Sequence, residues 1–392
     1  MNESLVIEGF GPLPVHRPGS IAEVCALVKE AAGRRQGVYP VGGRTMLDVG
    51  LPPNKPGIAI DTTRLNRVID YPARDMTITV EAGITMAALR ETLAAEGQWL
   101  PIDVPESERA TIGGAVALNV SGPHRFGYGT LRDYVIGISF VTDEGDEVKG
   151  GGRVVKNVAG YDLMKLQVGA VGTLGLITQL TLKVKPRPES RAVVGLRSAT
   201  ANLAGILDAL HASRSRPVVV DLCSDRDAWK LWVAFEEKAA TVEWQTATLL
   251  EELKSAAATD VVVERDATAM QRLDSLVKPS DAPFAFQANV LPSQVAAFCG
   301  AAAAIPGLQL HAHALNGIVK GTLLEATRES ALSLVNRLTP ACEPHGNLAV
   351  RRCPTEWKAS LPVWGKPGND RELMHHVKRT LDPHELFNPG RF

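Results

Sequence analysis

Pro40-Val41-Gly42-Gly43-Arg44-Thr45 follows directly on a short apolar run, Val38 to Val41, that reads as a strand. Two consecutive glycines after a strand let several backbone N–H groups point into one concavity, a nest that binds phosphate without basic side chains. The same pair also favours an ordinary tight turn. Two further glycine clusters lie downstream. In Ala110-Thr111-Ile112-Gly113-Gly114-Ala115-Val116-Ala117, Thr111 is placed to cap a helix that begins at the glycines, and Asn119 and Ser121-Gly122 follow. A helix start adds N–H donors, and small residues let a flat ligand approach the backbone; close helix packing explains the cluster equally well. Gly169-Ala170-Val171-Gly172-Thr173-Leu174-Gly175-Leu176-Ile177 carries no acid–base side chain, so it presents either backbone to a planar heterocycle or a glycine-rich entry to the next strand.

Around these clusters the first half alternates strands and helices. Ser20 and Glu23 form a capping-box pair ahead of Ile21, Val24, Leu27, Val28 and Ala31 at helical spacing. Ile58 to Ile60, Met76 to Val80 and Val135 to Val141 read as strands, and Thr85 to Glu96 as a helix stopped by Gly97. Leu180, Leu182 and Val184 alternate with polar residues until Pro186-Arg187-Pro188 breaks the strand, which predicts a domain boundary. Beyond it, strands at Val218 to Leu222, Lys230 to Phe235, Phe284 to Val290 and Leu308 to Ala314 are expected. Helices are expected at Ala239 to Ala257 and, capped by Ser293, up to Ala304, giving an α+β layer with an antiparallel sheet. The expected division is 1–187, 188–345 and a tail of short helices, 346–392.

Composition narrows the function classes. The 392 residues carry 42 Lys+Arg against 43 Asp+Glu, a net charge of −1, which argues against nucleic acid as a partner. No apolar run approaches the ~18–20 residues of a membrane span, and no basic-then-apolar leader is visible at the N-terminus. Five Cys without a Cys-x-x-Cys pair supply no iron–sulfur ligand set and fit a reducing, cytoplasmic compartment. There is no Gly-x-Gly-x-x-Gly, Walker loop, His-Glu-x-x-His or Gly-x-Ser-x-Gly.

In order and spacing, the glycine clusters resemble the FAD-binding domain of the vanillyl-alcohol oxidase, or p-cresol methylhydroxylase (PCMH), type over residues 35–187. The likeness also rests on Val80-Glu81-Ala82-Gly83, Phe126 to Asp133, Lys156-Asn157-Val158-Ala159-Gly160-Tyr161-Asp162 and the terminal Asn388-Pro389-Gly390-Arg391-Phe392. Within that family the chain is similar to the glycolate oxidase and D-lactate dehydrogenase branch, and among its members to FAD-binding subunits. The resemblance implies a two-subdomain FAD domain followed by an α+β cap domain over the flavin ring. It implies that Val41, Gly42, Gly43, Arg44 and Thr45 hold the pyrophosphate, with Thr111, Gly113 and Gly114 completing the cradle. Asn119, Ser121 and Gly122 would lie along the flavin or its ribityl chain, with Tyr128, Gly129 and Asp133 in the same shell. Gly172, Thr173, Leu174, Gly175 and Ile177 would line its other side. Many relatives bond a His after the Gly-Gly pair covalently to the flavin. Arg44 stands there and no Cys lies near Ser121, so non-covalent FAD is expected, with Arg44 available to pair with a phosphate.

The resemblance further implies hydride transfer from a small 2-hydroxy acid to the flavin. Related catalytic chains hold a metal through a His-Ala-Gly-Asp-Gly-Asn-Leu-His stretch and a downstream Glu. The matching stretch is His313-Ala314-Leu315-Asn316-Gly317-Ile318-Val319-Lys320, where Lys320 replaces the second His, so no metal is expected. His313 and Lys320 are the candidate catalytic residues, and His311 shares a strand face with His313. The readings that follow are an FAD-binding subunit working with a catalytic flavoprotein subunit and an iron–sulfur subunit, a self-sufficient FAD-dependent 2-hydroxy-acid dehydrogenase, or an assembly subunit stabilised by its flavin.

Overall fold

Ser20 caps the helix Ile21–Gly33 as its sequence predicts: the hydroxyl accepts from the Glu23 N–H, and the Glu23 carboxylate reaches back to the Gly19 N–H at 2.9 Å. The apolar stripe Val24, Val28 and Ala31 is buried and packs with Val38, Ile58, Ile60 and Phe387. The computed structural model describes residues 3–152, 162–226, 228–255, 258–277 and 281–392. Lys156 to Tyr161 of the quoted motif lie outside the described residues.

The chain divides into two compact units, one of Met1–Ser121, Thr130–Arg187 and Pro367–Phe392, the other of Gly122–Gly129 and Pro188–Lys366. The first unit holds two main sheets. A four-stranded sheet has the order Ser4–Ile7, Phe10–His16, Gly57–Asp61, Gly37–Val41; its first pair is antiparallel and the rest are parallel. A five-stranded antiparallel sheet has the order Val68–Asp70, Thr77–Glu81, Leu176–Lys183, Val135–Val141, Glu147–Gly151. Alternation places Leu180 and Leu182 in its core, while Thr181 on the opposite face meets Thr79 across the ladder at 3.0 Å.

The second unit is built on one eight-stranded antiparallel sheet. Its order is Thr259–Arg265, Ser190–Ala199, Ala228–Glu237, Val219–Asp225, Leu308–His313, Ile318–Leu323, Phe284–Asn289, Asn347–Arg352. Helices Leu203–Ala212, Ala239–Glu252, Val295–Ala303 and Arg328–Leu338 contribute buried apolar residues to its main core. On the other sheet face, Ala269 and Leu273 of helix Asp266–Ser275 pack with Val193, Val219 and Ala234.

Three differences from the sequence reading have physical causes. Asn347–Arg352 is a strand where a helical tail was expected, because the open edge of Phe284–Asn289 supplies a partner that no local pattern reveals. Ser293 caps no helix: Pro292 starts a short 3-10 turn, and the helix begins at Val295. The segment Gly122–Gly129 leaves the first unit, with the Gly127 N–H bonded to the Val218 carbonyl at 2.9 Å.

Candidate functional site: a glycine-lined cleft

The strand Gly37–Val41 delivers Gly42 to Thr45 to the mouth of a cleft in the first unit. Val41, Gly42, Gly43, Arg44, Thr45, Thr111, Gly113, Gly114, Gly172, Gly175 and Ile177 all line it, so one concavity joins the three clusters. Arg44 adopts the left-handed conformation at φ 59°, which turns the backbone at the end of the Gly-Gly pair. The N–H groups of Gly43, Arg44 and Thr45 have no protein acceptor among the described residues. Three adjacent donors left open beside a cavity are what the nest reading, one of the two that the sequence admits, requires.

The second cluster contributes shape rather than donors. Thr111 caps the helix Ile112–Leu118 by accepting from the Gly114 N–H at 3.3 Å, while the Gly113 N–H donates to the Ala82 carbonyl at 2.8 Å. These helix-start donors are therefore spent inside the protein. A Cβ on Gly113 would lie 2.7 Å from the Ala82 Cβ, so glycine is needed there for packing. A Cβ on Gly114 would meet only the Thr111 hydroxyl, at 3.3 Å, and would otherwise occupy the cleft. At the helix end, Asn119 is left-handed at φ 48°, and its Oδ1 is buried with no hydrogen-bond partner among the described residues.

Arg44 corrects one expectation. Its guanidinium donates to Asp61 at 3.0 Å and Glu3 at 2.9 Å, so it is committed to carboxylates rather than held open for phosphate. Burial pushes the Asp61 carboxyl up, but bonds from Thr63 and Arg44 outweigh it and hold the group below its ordinary range. Arg44 thus anchors the turn through its side chain.

The chain terminus closes the cleft, a role that sequence analysis noted only as a closing motif. Asn388 and Arg391 line it. The Asn388 N–H donates to the Val38 carbonyl at 2.9 Å, and its Nδ2 to the Val171 carbonyl at 2.8 Å, tying the first and third clusters together. Arg391 donates to the carbonyls of Leu47 and Leu51. Asn388→Ala is expected to cost about 2 kcal/mol of stability and to weaken FAD binding roughly tenfold, read by flavin fluorescence titration.

The remaining predicted residues do other work. Asp133 accepts from the Thr130 N–H at 2.8 Å and its hydroxyl at 3.1 Å, capping Leu131–Tyr134. The Thr173 hydroxyl donates to the Ala170 carbonyl at 2.7 Å, and the buried Leu174 accepts from Gln167 through its carbonyl. Ser121 ends the first segment of the first unit; Gly122, Tyr128 and Gly129 belong to the second, where the Tyr128 hydroxyl donates to Glu236 at 3.0 Å. None of these residues lines the cleft.

In the second unit, His311 and His313 share a face of the strand Leu308–His313, and each meets Asp221 on the neighbouring strand. The Asp221 Oδ1 lies 2.9 Å from His313 Nδ1, and its Oδ2 lies 2.6 Å from His311 Nε2. Burial opposes ionisation of Asp221, but the two imidazoles outweigh it and hold the carboxyl low; burial likewise pulls His313 below its ordinary value. Lys320 stands opposite His311 in register on Ile318–Leu323. Sequence analysis missed Asp221, although an acid inside the apolar run Val218 to Leu222 was its available signal.

Residues 12–151 match the FAD binding domain family, and residues 366–392 match the C-terminal domain of FAD linked oxidases. Among curated proteins, D-2-hydroxyglutarate dehydrogenase of Xanthomonas citri pv. viticola is 35% identical over 184 residues, 47% of this chain and 39% of that protein. Glycolate oxidase subunit GlcE of Escherichia coli is 37% identical over 153 residues, 38% of this chain and 44% of that protein. Glycolate oxidase subunit GlcD of Bacillus subtilis is 32% identical over 180 residues, 46% of this chain and 38% of that protein. The chain thus spans less than half the length of each of these relatives. A solved alkyldihydroxyacetonephosphate synthase shares the fold over 96% of this chain and 75% of its own, with a TM-score of 0.73 at 18% identity. The expected α+β architecture with a PCMH-type FAD-binding domain is therefore met, and the domain matches indicate FAD as the cofactor.

Proposed function

We propose that this chain, with an FAD-binding domain as its first unit, is the FAD-binding component, of the GlcE kind, in a glycolate oxidase-type assembly that oxidises a small 2-hydroxy acid. The observation that carries the reading is the set of N–H groups at Gly43, Arg44 and Thr45 without a protein acceptor among the described residues, on residues that line one cleft with Gly114. Bound there, FAD would supply hydride acceptance. The backbone donors of the nest would neutralise the pyrophosphate, and the Asn388 clasp would fix the separation of the two sides. Arg44 offers no ring nitrogen for a covalent link and is occupied by Asp61 and Glu3, so the cofactor is held non-covalently.

The partners in this reading are a catalytic flavoprotein subunit and an iron–sulfur subunit. Relatives named as two different glycolate oxidase subunits support an assembly. None of the five cysteines, Cys25, Cys223, Cys299, Cys342 and Cys353, forms a disulfide. An iron–sulfur centre would therefore be another chain's. No helix among the described residues is long and apolar enough to cross a membrane.

A second reading, a self-sufficient FAD-dependent dehydrogenase using His313 and Lys320, is favoured by the buried His313 Nε2, which has no hydrogen-bond partner among the described residues. An anaerobic bleaching test separates the two. The purified chain should be yellow, should release its flavin to the supernatant on acid precipitation, and should bleach with glycolate or D-lactate only when partner chains are present. Bleaching of the isolated chain establishes the second reading. A colourless protein that takes up no added FAD refutes both.

A further inference from the structure

We propose that Asp221, His311 and His313 form a binding site for one divalent transition-metal ion of the zinc class. The sheet places the three side chains together without help from loops. His311 and His313 are two residues apart on one strand and so share a face, and Asp221 stands opposite His313 on the adjacent antiparallel strand. The two rings meet edge to face with centroids 5.2 Å apart, and one donor atom from each of the three residues lies within 4.8 Å of the others.

Burial and valence both leave this cluster short of a partner. The Asp221 side chain is 0% exposed and that of His313 is 1% exposed. An ionised carboxylate accepts hydrogen bonds but cannot donate them, so each imidazole must turn an N–H toward it in the metal-free protein. That leaves the Nε2 of His313 as a lone pair, and this nitrogen is buried with no hydrogen-bond partner among the described residues. A purely structural His–Asp–His triad has no need of such an orphan, which costs about 1–3 kcal/mol. A metal ion bound between these groups takes a lone pair from one nitrogen of each imidazole and neutralises the buried carboxylate.

The donor set selects the ion. Two imidazole nitrogens and one carboxylate oxygen suit zinc, cobalt or nickel, with a fourth position left open, whereas calcium and magnesium require oxygen cages. This set shares only His313 with the His–His–Glu pattern of the related catalytic chains, and Asp221 and His311 replace the ligands that Lys320 removed. Lys320, opposite His311, adds a positive charge that also disfavours protonation of His313. The same charge opposes a cation, so the site is weaker than a closed structural zinc site.

The test uses the full chain, stripped with a chelator and titrated with Co²⁺ by absorption and Zn²⁺ by calorimetry, with FAD content measured on the same samples. One ion per chain is expected, with ligand-field bands of low-symmetry Co²⁺. His311→Ala, at the partly exposed member of the cluster, should weaken binding roughly 100-fold with FAD content unchanged. Lys320→Gln should tighten it. These readouts do not depend on catalytic activity, so failure of the metal site and failure of the proposed flavin function are separately visible. Absence of binding to the stripped wild-type chain at millimolar metal, or binding unaltered in both His311→Ala and His313→Ala, overturns the proposal.

Discussion

Gly43→Ala is expected to abolish flavin retention and to lower stability by about 3 kcal/mol. A Cβ at this position would overlap the carbonyl group of Arg109 and come within 3.0 Å of the Ala110 nitrogen. Neither neighbour is a flexible side chain, so the turn itself must shift, and the N–H groups of Gly43, Arg44 and Thr45 lose their common direction. Gly114→Ala isolates the cofactor effect from the folding effect. Its Cβ meets a single protein atom at 3.3 Å, so the fold should change by less than ~0.5 kcal/mol while the cleft loses the volume of a methyl group. The checking measurements are thermal unfolding of the apo-proteins and FAD titration by fluorescence. If Gly114→Ala binds FAD as tightly as the parent while Gly43→Ala is merely unstable, the cleft is not the cofactor site.

Glu236→Ala is expected to cost about 3–5 kcal/mol, because it strands a largely buried cation. The Glu236 side chain is 0% exposed, accepts from Arg191 Nε at 2.6 Å and from the Tyr128 hydroxyl at 3.0 Å, and has the His124 Nε2 3.5 Å away. This carboxylate therefore ties Gly122–Gly129 to the second unit's sheet. Burial alone pushes its pKa up, but His124 and Arg191 outweigh burial and hold it below its ordinary value. The sign follows from linkage: a carboxyl depressed in the folded state contributes stability above its unfolded pKa, about 4.3, and loses it as pH falls through the folded value. Urea unfolding should thus show a gap between the parent and Glu236→Gln that is full at pH 7 and closes below about pH 4. A gap independent of pH would show that the ionised carboxylate is not what stabilises the segment.

His313 adds acid sensitivity at higher pH. Its folded pKa lies below the unfolded ~6.5, so the unfolded chain binds the extra proton and stability declines as pH falls below that value. Asp221, also depressed, loses its contribution at lower pH still. Bound metal should suppress the His313 part of this decline.

Much of the FAD domain was legible locally. Capping at Ser20 and Thr111, the strand Val135–Val141 and the glycine clusters are fixed by neighbours a few residues away, and the structure shows each as a local feature. Asn347–Arg352 was not legible, because a strand at the end of a sheet is specified by the ladder it joins. Arg44 was misread for a related reason: its partners Asp61 and Glu3 are distant in sequence, whereas the glycines that suggest a phosphate nest are its immediate neighbours.

By itself the sequence determined the α+β class and the glycines that permit a phosphate nest, since backbone freedom and periodicity are written residue by residue. Tertiary structure decided which N–H groups stay unspent, that the chain terminus clasps the cleft through Asn388, and that Asp221 joins His311 and His313. Those outcomes rest on strand register and burial. Both bring together residues far apart in the chain, and no local pattern encodes such pairings.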